Sequence, residues 1–137
     1  MFAHPNRPLE LSAGPILPLS GISNSLSVYD NENGEYLVYQ SDEYGSTNSP
    51  GSFQNTNCDI VVVGDSFAHG ACVPIDKDSA SLIRRKFPAT INLGYMAAGP
   101  LSYLGCLTEY GLVRRPRIVL WYHFEGNDLQ NLFNERQ

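Results

Sequence analysis

Three glycine-containing turns hold the groups in this chain that could do chemistry. They are Gly64-Asp65-Ser66, the run NLGYMAAG from Asn92 to Gly99, and Glu125-Gly126-Asn127-Asp128. The first brings a hydroxyl, the second free backbone N–H groups, and the third a carboxamide. Acyl transfer needs such a set, because a serine oxygen attacks a carbonyl and the developing oxyanion must meet preorganised donors. Each turn taken singly also has a plainer reading. Ser66 fits a helix cap, GND fits a turn that caps the next helix, and NLGYMAAG fits a close-packed strand–helix junction. Their order and spacing carry more weight than any one of them.

The surrounding sequence predicts the elements that must position these turns. Four apolar residues, Ile60 to Val63, run into Gly64 and read as a strand buried on both faces, with a helix starting near Ser66. A second helical segment follows DKDS and stops at Pro88, and TINLG is a second strand. Leu101, Leu104, Leu107 and Leu112, with Tyr103 and Tyr110, predict a helix over 101–113 that Pro116 closes. RIVLWYHF is a third apolar strand, and the tail from Asp128 starts another helix. This alternation predicts an α/β fold with a parallel sheet covered on both faces and right-handed crossovers. In such sheets ligands bind beyond the carboxyl ends of the strands, which is where all three turns fall.

Ahead of this lies an extension, residues 1–55, with the α/β part spanning 56–137. Pro5, Pro8, Pro15 and Pro18 mark residues 1–25 as an extended or irregular lead-in. LSVYDNENGEYLVYQSD then reads as a hairpin, with Asn33-Gly34 supplying the positive φ of the bend.

Composition narrows the function classes. The chain has 137 residues, 42% of them apolar, which suits one ordinary globular domain. A net charge of −5, with basic residues only in short groups such as Arg84-Arg85-Lys86, argues against nucleic acid or an anionic membrane as partner. Cys58, Cys72 and Cys106 are odd in number and form neither a disulfide framework nor a metal-ligand pattern. No apolar run approaches the ~20 residues of a membrane span, and MFAHPNRPLE is not a signal peptide. As written, the sequence predicts a cytoplasmic protein; an extracytoplasmic one follows if residues precede Met1.

The three motifs together resemble those of the SGNH hydrolases, the GDSL-like lipase and esterase family. VVGDSFAHG is similar to the family's first block, which implies Ser66 as nucleophile. FEGNDL is similar to the third, which implies Asn127 as side-chain oxyanion donor. NLGYMAAGP resembles the second, where family members often carry glycine five residues after the Asn. Here that position is Ala97, which keeps the backbone N–H, while Gly99 offers local flexibility. The resemblance implies a three-layer α/β/α, flavodoxin-like sheet of SGNH type with strand order 2-1-3-4-5. It implies a small ester substrate, of lipid or carbohydrate, and no metal or cofactor. The family's last block, Asp-x-x-His, has no counterpart up to Gln137. The chain therefore looks like the N-terminal half of such a domain, with RIVLWYHF as an exposed edge strand that invites self-association.

None of the three histidines is expected to replace that block. His69, one helical turn after Ser66, is expected at a pocket rim or facing solvent. His123 reads as a strand histidine with a local hydrogen bond, and His4 has no evident partner. Asp65 is expected to brace the first turn, and Asp128 to cap the last helix. Two other functions compete with ester hydrolysis: a catalytically inactive binding domain of the same type, and a flavodoxin-like phosphate binder that uses the GDSF turn as an anion nest.

Overall fold

The computed structural model describes residues 9–11, 14–16, 19–30, 34–54 and 57–136. Strands β1 (Leu9–Leu11) and β2 (Gly14–Ile16) pair antiparallel, so the lead-in contains regular structure that its prolines did not announce. Strands β3 (Leu26–Asp30) and β4 (Tyr36–Gln40) form the expected hairpin, in register from Leu26↔Gln40 to Asp30↔Tyr36. Gly34 has φ +77°, as the bend requires, while Asn31 to Asn33 lie outside the described residues.

The parallel sheet has three strands in the order β6-β5-β7, formed by β5 (Ile60–Val63), β6 (Thr90–Asn92) and β7 (Ile118–Trp121). All four residues of β5 are buried, and alternate ones enter two separate clusters. Val61 and Val63 pack with Leu93, Tyr103, Cys106 and Leu107, whereas Ile60 and Val62 pack with Ala68, Ile83 and Leu120. A β-branched run with no polar face is what a strand covered on both sides demands. The helices are α1 (Ser66–His69), α2 (Ser79–Arg84), α3 (Pro100–Cys106) and α4 (Asp128–Glu135).

The expected helix over 101–113 is not a single α-helix. After α3 the chain makes a π turn over Leu107–Gly111 and a 3₁₀ turn over Leu112–Arg114, and ends at Arg115 in the left-handed conformation. No helix among the described residues is long and apolar enough to cross a membrane. Cys58 and Cys106 are buried and Cys72 is exposed, and among the described residues none of the three is in a disulfide.

The segment after the hairpin is joined to the sheet by buried polar groups. Asn48 is 1% exposed; its amide donates to Asp42 Oδ2 at 2.7 Å and to the Asn92 carbonyl at 2.9 Å. Its oxygen accepts from the Asn92 backbone N–H at 2.7 Å and from the Arg84 guanidinium. One side chain thus closes four hydrogen bonds across the loop, β6 and α2. Asn48→Ala leaves those partners buried and unpaired, so it is expected to destabilise the fold by about 3 kcal/mol. Urea unfolding of the variant beside the parent checks this, and a change below about 0.5 kcal/mol, the size of an ordinary surface substitution, contradicts it.

Candidate active site

The turn after β5 exists because the backbone comes too close to its neighbours for a side chain. A Cβ on Gly64, whose φ is +155°, would lie 2.8 Å from both the Ala68 and Tyr122 Cβ atoms. The chain then enters α1 at Ser66, with Asp65 as its N-cap accepting from the Phe67 N–H at 2.9 Å. The bracing role expected of Asp65 is therefore observed. Ser66 is half-buried, at the head of a four-residue helix closed by Gly70 in the left-handed conformation.

The other two turns flank it. Tyr95 N–H donates to Gly64 O at 3.0 Å, and Tyr122 N–H donates to Val63 O at 2.9 Å, so the ladder runs on past both strand ends. Asn92 ties the first two turns together, its amide donating to Ala68 O at 2.8 Å and its oxygen accepting from Gly94 N–H at 2.9 Å. On the other flank the Phe67 and Phe124 rings lie 4.9 Å apart. The Asn127 side chain is near enough to the Asp65 carboxyl to affect its titration, though not in hydrogen-bond geometry. Both Asp65 Oδ2 and Asn127 Oδ1 are buried without a partner. Burial raises the Asp65 pKa; the Phe67 N–H opposes this, the Asp128 charge adds to it, and Asn127 opposes it.

Ala97 takes the conformation that glycine would take more easily. Its φ is +56°, in a turn closed by Ala98 N–H donating to Tyr95 O at 3.3 Å. A positive φ at that third position is what a type II turn requires. Gly99, expected to supply the flexibility, is instead an extended N-cap of α3 at φ −121°. The N-terminus of α3 is occupied by Glu135 of α4, whose carboxylate accepts from the Gly99, Leu101 and Ser102 N–H groups at 2.8–3.1 Å.

The polar residues around Asn127 differ from expectation. Asn127, not Asp128, is the N-cap of α4. Asp128 is fully buried and accepts from Tyr103 OH at 2.9 Å and Phe124 N–H at 2.9 Å, and it holds His123 Nδ1 at 2.9 Å. His123 does have its local hydrogen bond, and the partner is a buried carboxylate. Sequence reasoning missed this triad of Tyr103, His123 and Asp128, because no local pattern links Tyr103 to the other two.

His69 does not face solvent; it is buried and lines a cavity, which meets the pocket half of the expectation. It is 4% exposed, and both ring nitrogens lack a hydrogen-bond partner. The rings of Tyr29, Tyr39 and Tyr95 stand edge-on to it, with centroids 5.1, 5.9 and 6.4 Å away. Burial lowers its pKa to about 4, against the smaller opposing pull of Asp78. Comparison with protein-family models, curated proteins and solved structures finds no match.

Two expectations follow. Ala97→Gly relieves the left-handed strain and is expected to stabilise by about 0.5–1 kcal/mol, after the entropy that glycine adds to the unfolded chain; a lowered urea midpoint contradicts it. The neutral form of His69 is the one the fold favours, since its folded pKa of about 4 lies below the ordinary value near 6.5. The associated stability, about 3 kcal/mol, is present above pH 6.5 and lost as the pH falls towards 4. His69→Phe is expected to flatten that part of the stability-against-pH curve, and a curve of unchanged steepness counts against it.

Proposed function

We propose that this chain carries the first three motif-bearing turns of an SGNH-type serine ester hydrolase, with a three-layer α/β/α sheet of that type. The observation that carries the reading is the meeting of three turns at the carboxyl ends of β6, β5 and β7. Strand order β6-β5-β7 agrees with the 2-1-3 portion of the order the resemblance implies. In this reading Ser66 Oγ attacks the ester carbonyl, and its proton passes to a base. The backbone N–H groups of Ser66 and Ala97 and the Asn127 amide hold the oxyanion. The alcohol leaves with the proton, and water then hydrolyses the acyl-enzyme. The substrate is a small ester of lipid or carbohydrate type, and the reaction calls on no cofactor.

The base remains to be supplied. His69 is a poor choice, enclosed by aromatic rings and with a pKa of about 4. His123 is better equipped, being half-exposed and oriented by the buried Asp128 carboxylate, the relation a triad gives its histidine. A further Asp-x-x-His segment downstream is the alternative source. An inactive binding domain would keep the same turns and lack the chemistry.

The full-length gene product is expected to hydrolyse p-nitrophenyl acetate in a Ser66-dependent way, with Ser66→Ala abolishing turnover. Asn127→Ala should cost on the order of 10²–10³ in kcat, the usual loss for one oxyanion donor. Turnover that Ser66→Ala leaves intact refutes the hydrolase. Ser66-dependent turnover by residues 1–137 alone, lost in His123→Gln, assigns the base to His123.

A further inference from the structure

A cavity of about 170 Å³ lies between the β3–β4 hairpin and the segment from His69 to Ile75. Ser66, Ala97 and Asn127 are not among its lining residues, so it is separate from the turns discussed above. Tyr29 and Tyr39, stacked with centroids 5.6 Å apart and planes 2° apart, form one wall, and Val73, Pro74 and Ile75 lie on another. His69 lines it, buried, with neither ring nitrogen hydrogen-bonded.

That combination is costly when empty and specific when filled. A buried donor or acceptor left unpaired carries its whole desolvation penalty. Neutral imidazole has one of each, and a single hydroxyl satisfies either. An engineered cavity of about 150 Å³ with apolar walls takes up benzene, which sets the size of the occupant. The charge of the lining sets its class. Among the described residues no Lys or Arg lines the cavity, and the carboxylate that does, Asp78, is engaged in capping α2 through the Ser81 N–H at 2.9 Å. Nothing there would neutralise an anion.

We propose that this cavity is a binding site for a small uncharged molecule with an aromatic or compact apolar body and one hydroxyl, which hydrogen-bonds to His69. Strands β3 and β4 are then the cover of a ligand site as well as an extension of the fold. The site does not depend on the ester-hydrolase reading.

Phenol is the probe, with benzoate as the charged control and benzene as the control without a hydroxyl. Titration of the 137-residue chain, followed by the ¹H–¹⁵N resonances of the His69 ring, is expected to give saturable shifts with phenol and none with benzoate. His69→Phe keeps the ring and removes the hydrogen bond, so phenol should bind about tenfold more weakly while benzene is unaffected. Should that variant not fold, Val73→Trp, which fills the cavity from its wall, is expected to abolish phenol binding. Absence of a saturable shift with phenol overturns the proposal and leaves a cavity that holds water only. Equal binding of benzoate, or phenol binding that neither variant weakens, overturns it as well.

Discussion

The geometry of the strand ends depends on one buried carboxamide, that of Asn48. Asp42 and Arg84 meet it from the loop and from α2, and Asn92 meets it from the end of β6. Asn92 in turn grips Ala68 of α1 and Gly94 of the second turn. A continuous hydrogen-bonded path therefore runs from the segment after the hairpin to the backbone around Ser66. Asn48, Asp42, Asn92 and Ala68 are nearly or fully withdrawn from water, where a lost partner is not replaced by solvent, and Arg84 is half-buried. Arg84 illustrates the balance: burial lowers its pKa, and the carboxylates of Asp78 and Asp42 draw it back. The extension is thus bonded directly into the α/β part, and the positions of two of the three turns follow from that bond.

Elements set by local pattern were readable in the sequence; those set by distant contacts were not. Ile60 to Val63, the hairpin and α4 declared themselves through burial period, turn chemistry and a polar start. The π turn at Leu107–Gly111 did not, because it answers to packing. A Cβ on Gly111 would lie 2.9 Å from the tip of the Leu107 side chain and 3.2 Å from Val61, so the helix approaches β5 closely there. Leucine spacing carries no trace of that approach. Strands β1 and β2 are a separate case: they pair with each other locally, and a composition typical of a loop hid them.

The site divides along the same line. Ser66, Ala97 and Asn127 were legible as strand-end residues, since a buried strand followed by glycine fixes where its turn must fall. Ala97 was legible as a departure from glycine, and its φ of +56° shows what that departure costs the backbone. The surroundings of His69 were not legible. Tyr29 and Tyr39 come from 40 and 30 residues upstream, and only the folded hairpin brings their rings to the imidazole. Asp128 was read as a cap because sequence offers caps by default; the buried hydroxyl of Tyr103 gives it a different task.

The third strand is where the sheet is least supported, and the tail helix compensates. Among the described residues strand β7 pairs with β5 alone, and Ile118, Val119 and Trp121 remain exposed. An apolar strand with one free edge is poorly placed to hold the loop that follows it. That loop is held from its other end. Glu135 fastens α4 to the start of α3, and Asp128 fastens the first turn of α4 to Tyr103 and to the Phe124 backbone. Trp121 adds an edge-on contact with the Tyr103 ring at 5.6 Å. Asn127 sits between these anchors, so its place beside Asp65 is fixed by helix-to-helix bonds and does not rely on a neighbour for β7. The turn that bears the carboxamide can therefore keep its position whichever way the open edge of the sheet is occupied.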